Sequence, residues 1–430
     1  MKKILGVALA SVLALSVTAA CSTSSKSEPA AGKEDANQPV TIRVLSSDDF
    51  AGFREEAIKE FNKKYPNIKV QLEHVAYDQL HDKELASFNA KGDASYDVVD
   101  TDEIWTAEYA NAGFIQPVTA RYTDEMKSGI LPAALNITKL KGDYYGVPMF
   151  NDVLFFYYNE DMLKKAGFDH PPKTWDEFTA MSKTLQQKKI VEDAASTWGW
   201  SANEGLVCYF SQFLASHGGK FLDEKGNPVF NDAKGVQALQ YMVDSMNKDG
   251  IVSKSSLNSN DRQILDAFKN GKTAFVSGWS FYWGELNGKD SKIKGKAKVG
   301  LVPSANGAPN STVTGSMYLG ISAQTQHADA AWKFIEFLGS KEIQKQQSLK
   351  AGALPIWKDL YNDEELNKNH GAMKEMVKQL ENTTSRPSLE SYSEFSKDLQ
   401  IRLQEALTGK TPVKTALDQA VAKAKELNQQ

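Results

Sequence analysis

The sequence predicts an α/β fold in two domains, and three observations carry that expectation. A chain of 430 residues is too long for one ordinary hydrophobic core. Its 41% hydrophobic and 24% charged residues are those of a folded chain, which excludes disorder as the main state. From Thr41 onward, short apolar runs alternate with segments whose apolar residues recur at helical spacing, the pattern of βαβ units around a mainly parallel sheet.

The first element is a leader. Met1-Lys2-Lys3 is a basic start, Ile4 to Val17 an apolar core, and Thr18-Ala19-Ala20 a small-residue cleavage region before Cys21, so residues 1–20 read as a secretory signal peptide. The uncharged stretch is about 17 residues long and contains Ser and Thr, short of the roughly 20 that span a bilayer as a helix. The tetrad Thr18-Ala19-Ala20-Cys21 resembles a bacterial lipobox, with Thr18 where that pattern usually has Leu. The resemblance implies lipidation of Cys21, with acyl chains such as palmitate. A diacylglyceryl group brings two chains, and stable anchoring takes two. An ordinary secretory signal would instead leave Cys21 as a free thiol. The second cysteine, Cys208, then has no intramolecular partner and is expected as a buried free thiol.

Residues 21–39 form a tether of Ser, Ala, Lys, Glu and Asp without an aromatic side chain. The folded part opens with a strand at Thr41–Leu45. A helix carrying Phe53, Ala57, Ile58, Phe61 and Tyr65 follows and is stopped by Pro66. Ile68 to Glu73 alternates strictly as a strand, a helix is expected from about Tyr77 to Asn89, and a strand at Tyr96–Asp100. Further on come a strand-like run at Val153–Tyr158, helices near Trp175–Leu185 and Gly235–Met246, strands at Thr273–Ser277 and Thr314–Ser322, and amphipathic helices from Ala328 to the end. Thr174 with Glu177 reads as a capping box, and Trp175 inside it as core.

Composition and motifs narrow the chemistry. The net charge is −4, and removal of Lys2 and Lys3 with the leader takes it to −6, so nothing draws this chain to nucleic acid or anionic lipid. The six histidines never fall at i, i+3 or i, i+4, and no cysteine pair suits zinc, so no metal and no cofactor is expected. Gly278-Trp279-Ser280-Phe281-Tyr282 begins like a nucleophile elbow but has Tyr282 where the second glycine belongs. No catalytic residue is assigned, although paired carboxylates of a glycosidase would leave no motif.

Aromatic and acidic residues coincide in three loops that follow strands. These are Asp102-Glu103-Ile104-Trp105, Phe150-Asn151-Asp152, and the run from Gly278 to Trp283. Ionised acceptors bind sugar hydroxyls well, and flat rings suit the C–H faces of sugar rings. The candidate contacts are Asp102, Trp105, Phe150, Asp152, Trp279 and Trp283, with Asp49 supported by position alone. Asp102 reads equally as the N-cap of a helix starting near Glu103, Trp105 as core, and Asp152 as the partner of an arginine.

At these residues the chain resembles the extracellular sugar-binding proteins of ATP-driven importers, the maltose- and trehalose-binding type. The likeness is carried by Tyr96 to Val118, Tyr145 to Phe178, Phe268 to Trp283 and Ser385 to Glu394. It implies a two-lobed periplasmic-binding-protein-like fold, each lobe a mainly parallel sheet flanked by helices. The lobes would be 40–150 plus 320–357 and 151–319 plus 358–430, with crossings near Pro148–Phe155, Thr314–Ser322 and Pro355–Glu365. By motif, Asp102, Phe150, Asp152, Trp279, Gly315 and Arg386 match the family's ligand-binding positions. Many relatives carry Gly-Gly-Trp where this chain has Gly315-Ser316-Met317, so their sugar specificity does not transfer. The implied protein is a monomeric lipoprotein, anchored outside the cell membrane or in a periplasm, that hands a di- or oligosaccharide to permease subunits. An extracellular glycosidase-like enzyme or a receptor for another solute is the alternative.

Overall fold

Strand Val40–Ser46 pairs in parallel with Ile68–His74 along its whole length and with Val98–Asp102 on its other side. These strands belong to the computed structural model of the protein, which describes residues 38–47, 52–90, 95–387 and 389–427. The expected signal peptide, Cys21, almost all of the expected tether and the loop with Asp48 and Asp49 lie outside the described residues.

The helix between the first two strands, Phe53–Lys64, buries Phe53, Ala57, Ile58 and Phe61, the spacing read from the sequence. Its first turn carries Glu55 and Glu56 and its last Lys63 and Lys64, each end matched to the helix dipole. Strand Met317–Ile321 then joins the sheet antiparallel to Val98–Asp102, and Gly146–Pro148 closes it, giving five strands. Pairing with Met317 draws Asp102 into the strand, two residues beyond its expected end.

The second lobe is built on a three-stranded sheet in which Phe155–Asn159 lies between Phe275–Gly278 and Ala297–Gly300. Both pairings are antiparallel, which corrects the expectation of a mainly parallel sheet in each lobe. The reason is the direction of entry: Phe155 starts at the cleft opposite Gly278, where the neighbouring strand ends. A strand arriving from the other lobe runs against strands that finish there. Trp175–Gln187 packs on this sheet, its Phe178 ring against Phe156 and Phe275, whereas Ala233–Asn247, Tyr392–Leu407 and Val413–Leu427 pack on the helix Glu204–Ser216 and on one another. Thr174 caps the first of these by accepting from the Glu177 amide at 3.1 Å, while the Glu177 carboxylate returns to the Lys173 amide at 2.7 Å rather than to Thr174 itself. Trp175 is core, its indole N–H on Ser216 at 3.0 Å.

Like Asp261–Lys269 and several shorter helices, the helix Glu204–Ser216 has no counterpart among the sequence expectations. Every residue from Leu206 to Ser216 is buried, so its apolar residues show no one-sided period to read.

Three segments pass side by side between the lobes. Leu154 donates to the Val313 carbonyl at 3.1 Å, Gly315 to the Asp152 carbonyl at 3.1 Å, and Met149 to the Met317 carbonyl at 3.0 Å. Asn151 donates to the Leu354 carbonyl at 3.0 Å. Beyond Leu354, Trp357 bridges to Ile130 of the first lobe and His370 stacks on Trp283 of the second.

Close packing beside the first crossing gives a test. A Cβ on Gly146 would lie 2.3 Å from both the Leu319 carbonyl oxygen and Tyr318 Cδ2. Gly146→Ala must push strands apart and should cost about 1–3 kcal/mol in urea unfolding. An unchanged midpoint would mean that the sheet edge yields freely.

Candidate functional site

The carboxyl ends of the parallel strands face the second lobe, where ligand sites of such sheets lie. Ser47, Ala76 and Asp102 sit at those ends and line a cleft of about 460 Å³. The crossing segments floor it with Phe150, Asp152, Gly315, Met317 and Ala353. The second lobe contributes Glu204 and Cys208 from the buried helix, Asn260 to Arg262, Trp279 to Phe281, and Arg386.

Arg386 is the electrostatic centre. Its guanidinium, 5% exposed, donates from Nη2 to Asp102 Oδ1 at 2.9 Å and from Nη1 to Glu204 Oε1 at 2.8 Å, with Glu103 Oε1 3.6 Å away. It thus ties a strand end of the first lobe to a helix start of the second. Asp102 also accepts the Tyr77 hydroxyl at 2.6 Å and the Ile104 amide at 3.2 Å, so the capping reading of this residue holds while it also lines the cleft. Burial pushes Glu103 up to about 7 against the opposing pull of Arg386, and raises Glu204 as well.

Asp152 is held by backbone amides and not by an arginine. Its Oδ1 accepts the Ser280 and Val153 amides, each at 2.9 Å, and burial raises its pKa from 3.8 to about 7. Beside it stands Trp279, whose six-membered ring occupies the space that a Cβ on residue 315 would take, 2.2 Å from Cζ3. Only glycine at 315 leaves room for the ring.

The cleft therefore brings together Asp102, Phe150, Asp152, Trp279, Gly315 and Arg386. It does not bring in Trp105 or Trp283, which corrects the expectation of ligand contact for both. Trp105 is 5% exposed and stacks behind the Tyr77 ring at 5.8 Å, so Tyr77 takes the place at the cleft wall. Trp283 lies on the helix Tyr282–Asn287, which turns its indole to the His370 carbonyl and against Gly371. Asp49 lies outside the described residues. Sequence reading missed Tyr77, Glu204 and Asp261. Glu204 and Asp261 were hidden by unrecognised helices, and Tyr77 opens an expected helix, outside the three loops where aromatic and acidic residues coincide.

Cys208 is a free, buried thiol, as expected, and burial raises its pKa well above the ordinary thiol value. Among the described residues no group of three or more His, Cys, Asp or Glu side chains could hold a metal ion, and no helix is long and apolar enough to cross a membrane.

Two lobes around a polar, aromatic cleft define a solute-binding protein. The family model described as bacterial extracellular solute-binding protein matches residues 45–345, and the chain belongs to that family. Among solved structures it is similar to the maltose-bound MalE3 of T. maritima, with 31% identity, a TM-score of 0.86, and coverage of 90% of this chain and 100% of that one. A solute-binding protein of Thermotoga lettingae bound to α-D-tagatose gives 23% identity and a TM-score of 0.82, covering 90% and 99%. An arabinooligosaccharide-binding protein of Bacillus subtilis is 24% identical over 328 residues, 74% of this chain and 73% of that one. A probable ABC transporter-binding protein of Deinococcus radiodurans is 25% identical over 270 residues, 62% of this chain and 64% of its own length.

Two substitutions test the electrostatics. Arg386→Met keeps the volume but leaves Asp102 and Glu204 uncompensated, and should cost about 3–5 kcal/mol at neutral pH. The loss should shrink at pH 5, below the value of about 7 to which burial pushes Glu103, because that carboxyl then takes up a proton. Equal losses at both pH values in urea unfolding would contradict the cluster. For Asp152, the folded state holds the proton more tightly than the unfolded chain, so its contribution to stability is full below pH 3.8 and lost as pH rises through about 7. Asp152→Asn keeps an acceptor for both amides. It should therefore flatten the fall in stability across that window, measured as melting temperature against pH.

Proposed function

We propose that this chain is the substrate-binding lipoprotein of an ATP-driven carbohydrate importer. It binds a di- or oligosaccharide between its lobes and delivers it to permease subunits. The observation that carries the reading is Trp279, an aromatic ring set at the wall of a cleft that is also lined by the carboxyl groups of Asp78, Asp102, Asp152, Glu204, Asp261 and Glu285. A sugar ring meets flat carbon on one side and charged acceptors for its hydroxyls on others.

Charge sharpens the class of solute. Each arginine lining the cleft already faces a carboxylate: Arg54 with Asp100 at 3.0 Å, Arg386 with Asp102 and Glu204, and Arg262 with Glu285 at 3.6 Å. No lysine or histidine lines it among the described residues. An acidic sugar would meet carboxylates without an uncommitted cation, so the solute is a neutral sugar. The maltose, tagatose and arabinooligosaccharides named for the relatives agree with that class.

The leader 1–20, the lipobox-like tetrad ending at Cys21 and the tether support lipid anchoring of an outward-facing protein. The protein is a monomer with lobes at 40–150 plus 320–357 and 151–319 plus 358–430, the bound at 319 moved back to 316 because Met317–Ile321 is a strand of the first lobe's sheet. It acts as a receptor and not as an enzyme. Reversible capture at micromolar affinity, roughly −8 kcal/mol, suits delivery.

The test uses residues Ser22–Gln430, titrated with neutral mono-, di- and oligosaccharides, polyols and matched uronic acids. Tryptophan fluorescence and melting temperature are followed together. One neutral sugar should give a saturable response, and at a hundredfold excess over Kd it should stabilise the fold by about 2.7 kcal/mol. Trp279→Ala should weaken it about tenfold, and the uronic acid should bind more weakly than its neutral parent. A uronic acid binding best would sink the charge argument. Sugar turnover would make the protein an enzyme, and silence across the panel would point to another solute.

A further inference from the structure

Trp279 is held by more than the glycine beside it. Asp261, the first residue of helix Asp261–Lys269, accepts the Trp279 indole N–H on Oδ2 at 2.9 Å. Its other oxygen, Oδ1, accepts the Tyr209 hydroxyl at 2.8 Å, and the same hydroxyl lies 3.1 Å from the Ser277 carbonyl oxygen. The Tyr282 hydroxyl donates to the Asp261 backbone carbonyl at 2.6 Å. A Cβ on Gly199 would stand 2.8 Å from the Tyr209 ring and 3.1 Å from Asp261 Oδ1, so this group is packed from behind as well.

We infer that Asp261 is the positioning residue for the solute platform. Clamped between this carboxylate at its N–H edge and Gly315 at its six-membered ring, Trp279 has its rotamer set before a solute arrives. A preformed ring spares the solute the ordering of that side chain, so Asp261 acts on affinity through Trp279. Asparagine can replace the carboxylate here, because its oxygen accepts the indole N–H and its amide donates to Tyr209, whose own hydrogen turns to Ser277. Alanine cannot.

The affinity half of this inference rests on the sugar-binding reading, while the clamp itself does not, and the experiment separates them. Protein carrying ¹⁵N-labelled tryptophan gives one indole resonance per ring, and Trp279→Phe identifies the Trp279 signal. Without any sugar, Asp261→Ala should move that signal towards the free-indole position and speed its exchange with water by about tenfold or more. Asp261→Asn should leave exchange within a few-fold of the parent. With maltose as the first probe, and whichever panel sugar binds the parent protein best as the second, the alanine variant should bind about tenfold more weakly and the asparagine variant nearly as well. An unmoved indole signal in Asp261→Ala overturns the inference, and so does a moved signal with unchanged affinity. If the parent binds no sugar at all, the sugar reading fails while the indole signal still decides the clamp. Should Asp261→Ala fail to fold, Asp261→Ser, whose hydroxyl is too short to reach the indole, is read in the same way.

Discussion

The side-by-side passage of the crossing segments is the constraint from which the cleft follows. Residues 149–154 and 313–317 exchange backbone hydrogen bonds while they run between the lobes, and Asn151 adds a bond to Leu354. Pairing of this kind satisfies backbone groups that would otherwise be buried without partners, and it leaves the chain few ways to pass. It also fixes which side chains face the gap. Phe150, Asp152, Gly315 and Met317 become floor because they sit on the paired segments, and both sheets end their strands above that floor. Small changes of backbone angle at such element ends are what hinge closure of two-lobed proteins uses.

Arg386 does for the cleft wall what the crossing segments do for the floor. A buried arginine among Asp102, Glu103 and Glu204 adds little net stability, because desolvation offsets the Coulomb attraction. Its value lies in geometry. The planar fork binds two carboxylates that come from different lobes, and it consumes positive charge that would otherwise favour acidic solutes. The resulting wall is rich in acceptors for hydroxyl groups, and among the described residues each arginine on it faces a carboxylate.

Against this polar wall the aromatic residues divide by what lies behind them. Trp105 and Trp283 spend their faces on other side chains, whereas Trp279 keeps a place at the cleft. The division is made by glycines as much as by tryptophans: Gly315 admits one ring and Gly371 receives the other. Met317 lies on the same floor and offers a softer, less directional contact than a ring at that point.

Much of this was legible from the chain alone. Local patterns determined the strands Val40–Ser46 and Ile68–His74, the helix Phe53–Lys64 and the capped helix at Trp175, because each depends on side chains within a few turns of one another. Motif matching added Asp102, Asp152, Trp279, Gly315 and Arg386, since loops after strands gather at one end of a sheet. Tertiary structure decided the rest. The antiparallel second sheet depends on the direction in which a strand arrives from the other lobe, which no local period records. The helix Glu204–Ser216 is buried on every face, so its sequence carries no stripe. Which of Trp105, Trp279 and Trp283 reaches the cleft depends on neighbours distant in sequence, Tyr77, Gly315 and His370. An aromatic residue shows its type in the sequence, but its exposed face is whatever the rest of the fold leaves uncovered.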